Sequence, residues 1–225
     1  MISEDQVILA TDTLATTPDG TPCFFTSKAI HLPHLKSLIM GTGIGGFANR
    51  WANQVAASMV LSGINNLDYH TADGLRSLWR DYRSEYDISP DVTTTVYQFG
   101  WSDEDARMCG FAYRSTDNFL SEPLEYGWRL KPECSIPGGD VTAAIIETMM
   151  REQRQIQETR PLSERVFIGG EAILHHIQPQ GYAAYNIFKF EDYDEMMRAI
   201  FINHYSKSLN QPEKSFLNNS PASDY

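Results

Sequence analysis

Three features of the sequence have residue types and spacing that could do chemistry. Asp12 closes a short apolar run, Val7-Ile8-Leu9-Ala10 followed by Thr11, and Lys28 stands sixteen positions later. A carboxylate held against an ammonium fixes the lysine and keeps a cation beside a reacting group, whereas the same charges left in solvent form an ordinary surface pair. The third feature is the turn Gly41-Thr42-Gly43-Ile44-Gly45-Gly46. Its glycines satisfy the GxGxxG spacing that cradles a dinucleotide pyrophosphate. They equally suit a strand-to-helix turn whose backbone takes positive φ or closely approaches a neighbour. A dinucleotide site also wants an acidic residue at the end of a second parallel strand. Asp68 has the right separation, but the pattern around it is helical.

The elements that must position these residues follow from periodicity. Val7 to Ala10 is a β-prone run closed by the turn-rich Thr17-Pro18-Asp19-Gly20-Thr21-Pro22, and Cys23 to His31 and Ser37 to Met40 continue as short strands. Phe47, Trp51, Val55 and Met59 recur every four residues, which predicts a helix ending near Gly63. Thr71 suits the cap of a second helix carrying Leu75, Leu78, Trp79, Tyr82 and Tyr86, closed by Ser89-Pro90. Val92 to Trp101 and Met108 to Ser115 read as a hairpin across Ser102-Asp103-Glu104-Asp105. Gly138-Gly139-Asp140 introduces a third helix with Val141, Ala144, Ile145, Thr148 and Met149 on one face. Arg165 to Ile168 and Ala183 to Phe190 read as further strands, and Tyr193 to Tyr205 as a closing helix. This order is not the alternation of a doubly wound parallel sheet; it suits two packed antiparallel sheets flanked by helices.

Length and composition set the frame. The 225 residues are 42% hydrophobic, enough for one domain, expected over 1–205, followed by a polar, flexible tail over 206–225. Eighteen basic against 29 acidic residues give a net charge of −11, which argues against nucleic acid and anionic membrane surfaces as partners. No run has the length of a membrane span, and the acidic MISEDQ start is unlike a signal peptide. Cys23, Cys109 and Cys134 are widely spaced and odd in number, so a reducing cytoplasm is expected, with the thiols packed rather than nucleophilic. The histidine pairs, His31 with His34 and His175-His176 near Glu171, lack ligand spacing: strand neighbours point to opposite faces. No metal and no cofactor is expected.

Taken together, the strand ending in Asp12, the lysine at Lys28 and the strand leading through Gly41 to Gly46 into a helix resemble the start of a proteasome β-type subunit. That family belongs to the N-terminal nucleophile (Ntn) hydrolases. The resemblance covers the first third of the chain. It implies an α+β, four-layer αββα sandwich of two antiparallel sheets flanked by helices. It also implies that Asp12 holds Lys28, that the Lys28 ammonium lowers the proton affinity of an N-terminal threonine, and that the Gly45 N–H stabilises an oxyanion. Ser135 and Asp140 lie in the region of the family's supporting serine and aspartate. The position of the family's threonine falls before Met1, and Ser3 is too close to Asp12 along the chain to replace it. Two functions are therefore expected as alternatives: a threonine-type peptidase or amidohydrolase acting on a peptide or amide, and a non-catalytic assembly subunit. In either, a homo-oligomeric ring or stack is implied. The reading from a different class is a nucleotide-binding protein using the Gly41 to Gly46 turn.

Overall fold

The structure, a computed structural model, describes residues 1–209. Its ten strands are β1 (Val7–Asp12), β2 (Leu14–Thr16), β3 (Pro22–Phe25), β4 (Ala29–Leu32), β5 (Ser37–Gly43), β6 (Thr94–Ser102), β7 (Arg107–Arg114), β8 (Ser121–Pro123), β9 (Glu171–Gln178) and β10 (Gly181–Lys189). The helices are α1 (Phe47–Ser58), α2 (Ile64–Glu85), α3 (Ala143–Glu158) and α4 (Tyr193–Leu209). Strands β4-β5-β6-β7-β8 form one antiparallel sheet, β1-β9-β10 a second, and β2-β3 a separate ribbon.

Strand β5 shows why the layers stack. Along Leu38-Ile39-Met40, alternate side chains reach opposite faces. Leu38 and Met40 join Val7, Phe99, Met108 and Ile177 between the two sheets, while Ile39 joins Phe47, Trp51, Leu75, Val96 and Tyr113 beneath α1 and α2. On the far face of the smaller sheet, Ala172 and Leu174 pack with Ile146 and Met150 of α3. The result is the αββα layering that the sequence implies, with the β2-β3 ribbon as an addition. In α1 the four-residue repeat of Phe47, Trp51 and Val55 is wholly buried, as its period requires.

Several local readings change; α1 stops at Ser58, short of Gly63, and the Cys23 to His31 run splits into β3 and β4. The second helix starts at Ile64 rather than Thr71; the Thr71 hydroxyl is buried mid-helix, donating to the Leu67 carbonyl at 2.7 Å and bonded to the Gln98 amide. The polar residue that resembled a cap is instead a partner for a buried strand side chain. The cap of α3 is Thr142, whose hydroxyl accepts from the Ile145 N–H at 3.2 Å, not the glycine-aspartate turn before it. Arg165 to Ile168 is not a strand: Val166 spends its N–H on the Gln157 side chain at 3.0 Å. The strand lies just beyond, at β9, the centre of its sheet. Helix α4 continues to Leu209, past the expected start of the tail, and positions 210–225 lie outside the described residues. Among the described residues no helix is long and apolar enough to cross a membrane.

Candidate active site

Asp12 ends β1, and Lys28 sits in the short link from β3 to β4. Pairing of Ala29 with Met40 sets the register that brings Lys28 alongside the Gly41 end of β5. Lys28 Nζ donates to Asp12 Oδ1 at 2.6 Å, while Asp12 Oδ2 accepts from the backbone N–H groups of Leu14 at 3.3 Å and Gly169 at 3.1 Å. The two side chains are 28% and 12% exposed. Three donors thus converge on one carboxylate. This is what an ion pair shielded from water needs if desolvation is to be offset, and it leaves the lysine amine with a fixed location.

The segments that supply these donors lock one another. Leu14 N–H also donates to the Gly169 carbonyl at 3.2 Å, and Glu171 N–H donates to the Thr13 hydroxyl at 2.8 Å. Gly170 has φ +79, and a Cβ there would lie 2.4 Å from Thr13 Oγ1, so only glycine closes this clasp. Sequence reasoning missed Gly169-Gly170. Two adjacent glycines before a short apolar run were the available signal.

The glycine turn divides into positions with different work. A Cβ on Gly41 would meet the Ala48 Cβ at 2.5 Å, and one on Gly43, at φ +96, would meet the Thr93 carbonyl at 2.3 Å. Gly46, at φ +82, is the N-cap of α1. Gly45 differs: nothing lies within 4 Å of its Cβ position, and its carbonyl accepts from the Tyr82 hydroxyl at 2.8 Å. Its N–H has no acceptor among the described residues. A second cation closes the same end of β5, where Lys131 Nζ donates to Thr42 Oγ1 at 3.0 Å; burial and the nearby Arg114 lower its proton affinity.

The other sequence candidates go elsewhere. Ser135 is held by Glu152 of α3, its N–H at 3.1 Å and its hydroxyl at 2.7 Å, and Asp140 is exposed without a side-chain partner among the described residues. Neither hydrogen-bonds to Asp12 or Lys28. His176 meets the Gln6 side chain at 2.8 Å, while His175 turns inward between the sheets, 2.8 Å from the Tyr182 hydroxyl and 3.4 Å from Thr11 Oγ1. His31 stacks on Tyr182 at 4.1 Å. Burial lowers His31 and brings His175 down to about 4. All three cysteines are free, and burial raises the Cys109 and Cys134 thiols.

No family model matches the sequence, and no curated protein is similar to it by sequence. Among solved structures the chain is similar to Anbu (ancestral beta-subunit) from Yersinia bercovieri, with a TM-score of 0.50 and 12% identity over 94% of this chain and 95% of that one. At such identity the likeness shows the fold alone. The fold is proteasome-like, of the Ntn-hydrolase sandwich type.

Proposed function

We propose that the chain is a proteasome-subunit-like protein of the N-terminal nucleophile class, and that Asp12 and Lys28 serve an amide-hydrolysing site. The observation that carries this reading is the convergence of Lys28, Leu14 N–H and Gly169 N–H on the Asp12 carboxylate, which fixes an ammonium beside a glycine turn. In this chemistry the ammonium favours the deprotonated form of a neighbouring hydroxyl, thiol or amine, and the free Gly45 N–H supplies a donor for the oxyanion of the tetrahedral intermediate. The reaction is then acyl transfer from an amide nitrogen to the nucleophile, followed by hydrolysis of the acyl-enzyme.

The place for that nucleophile is supported by strand pairing. Val7, Leu9 and Thr11 face β9 in the ladder, so the N–H and C=O of Ala10 point the other way, next to Asp12. Those groups have no partner among the described residues, whereas Ile8 on the same edge exchanges bonds with Met1 at 2.8 and 2.9 Å. A strand added at that edge would bring its end to Asp12 and Lys28. The test is the mass and N-terminal sequence of the protein purified from its own host. A processed chain opening on Thr, Ser or Cys upstream of Ile2 supports the hydrolase; an intact Met1 overturns it.

A second reading, a non-catalytic assembly subunit of the same fold, is favoured by one observation. Lys28 Nζ bonds only to Asp12 among the described residues, with no hydrogen bond to a serine, threonine or cysteine side chain. Under either reading the protein assembles as a homo-oligomeric ring or stack, and sedimentation at micromolar concentration showing a monomer would contradict it. The nucleotide-binding alternative has less behind it, because β5 pairs antiparallel on both sides and its glycines are already required by close packing. NAD, FAD and ATP are each expected to leave the melting temperature unchanged.

A further inference from the structure

Helix α2 carries Arg76, Arg80 and Arg83 at i, i+4 and i+7, alongside its buried stripe. With Trp79, Asn118 and Phe119 they line a cleft of about 420 Å³, away from Asp12 and Lys28. Three guanidinium groups gathered in one cleft stand out on a chain of net charge −11. The local acids do not account for them. Asp73 is taken by Arg76 and Glu85 by Arg50 at 2.5 Å, while Asp81 approaches Arg80 only to 4.0 Å. The Arg83 side chain has no acceptor among the described residues.

The opposite wall is a packed turn. Asn118 and Phe119 are consecutive left-handed residues, φ 49 and 55, a costly backbone for a residue as bulky as phenylalanine. Phe119 is nevertheless 1% exposed, set edge-on to Trp79 with ring centroids 6.2 Å apart, and Arg76 donates to the Asn118 carbonyl at 3.1 Å. An aromatic wall beside cationic forks has a definite chemistry. Guanidinium binds a planar carboxylate through two parallel hydrogen bonds, and the half-buried Trp79 indole, backed by Phe119, takes up an apolar body. The volume falls in the range of small-molecule sites.

We propose that this cleft binds a small carboxylate carried on an aromatic or branched apolar body. The inference is independent of the hydrolase reading. Titration of the full chain with phenylacetate, followed by calorimetry or NMR, tests it directly. Saturable binding is expected, at least about tenfold tighter than for the neutral phenylacetamide and for acetate. The double variant of the exposed Arg80 and half-buried Arg83, Arg80→Ala/Arg83→Ala, is expected to keep its melting temperature and lose at least about tenfold in affinity. Arg83→Lys, which keeps charge but not the fork, should also weaken binding. The proposal is overturned if phenylacetate does not saturate, if the amide binds equally, if inorganic phosphate binds as tightly, or if the double variant binds like the wild type.

Discussion

Adjacent residues of β1 meet opposite electrostatic fates. Asp12, at the strand's end, sits against an ammonium and two backbone N–H groups. Thr11, one residue earlier, points between the sheets, where its hydroxyl lies against His175, an imidazole that burial strips of its proton. Burial alone does not decide whether a charge survives; prepositioned donors do. The clasp of residues 12–14 with 169–171 supplies such donors, and the inter-sheet core offers His175 only hydroxyls that adapt to a neutral ring.

The sharpest way to break this contrast is to remove the acceptor. Asp12→Ala strands the Lys28 ammonium and two N–H donors in a mostly shielded place, with an expected loss of about 3–5 kcal/mol in chemical denaturation. Asp12→Asn, which can still accept one N–H bond, should cost distinctly less. Equal losses would show that the convergence on the carboxylate does not matter.

On the other side of the strand the test is pH. His175 falls from 6.5 to about 4 on folding, so between those values the unfolded chain holds a proton that the folded chain refuses. The His175 contribution is complete above pH 6.5, declines as pH falls toward 4 and then levels, by about 3 kcal/mol in all, while the buried Met1 amine, lowered from 8.0 to about 6, adds its own decline at higher pH. His31, lowered in the same direction by burial, adds to the decline. Denaturation curves from pH 7.5 to 4 should show it, and His175→Gln should flatten most of it.

The smallest effects sort the glycines. Gly43→Ala puts a Cβ 2.3 Å from the Thr93 carbonyl at positive φ, for a loss of about 1–3 kcal/mol, whereas Gly45→Ala meets open space and should stay within about 0.5 kcal/mol in thermal melts. A large loss at Gly45 would mean that its role is structural rather than held in reserve for a reacting oxygen.

The sequence showed the layers and part of the candidate site. Helices α1 and α2 and the β6-β7 hairpin were legible because their apolar residues repeat at one period against one face. Asp12 and Lys28 were singled out by the resemblance to a proteasome β-type subunit, and strand pairing brings them to a common end. Strand β9 was harder: His175 and His176 interrupt the apolar run, although one faces the core, so polarity disguised a central strand. The Gly169-Gly170 clasp was missed for another reason. It depends on backbone donors reaching Asp12 across 157 positions, and backbone groups carry no sequence label. Ser135 hydrogen-bonds to Glu152 of α3 and not to Asp12 or Lys28, a pairing between a loop and a helix that sequence spacing does not reveal.

The central claim is the proposal that the Asp12–Lys28 pair serves the nucleophile of an amide-hydrolysing site. The direct measurement is the intact mass and N-terminal sequence of the protein isolated from its host. The account predicts a processed N-terminal threonine, serine or cysteine upstream of Ile2, and an intact Met1 on every molecule would contradict it.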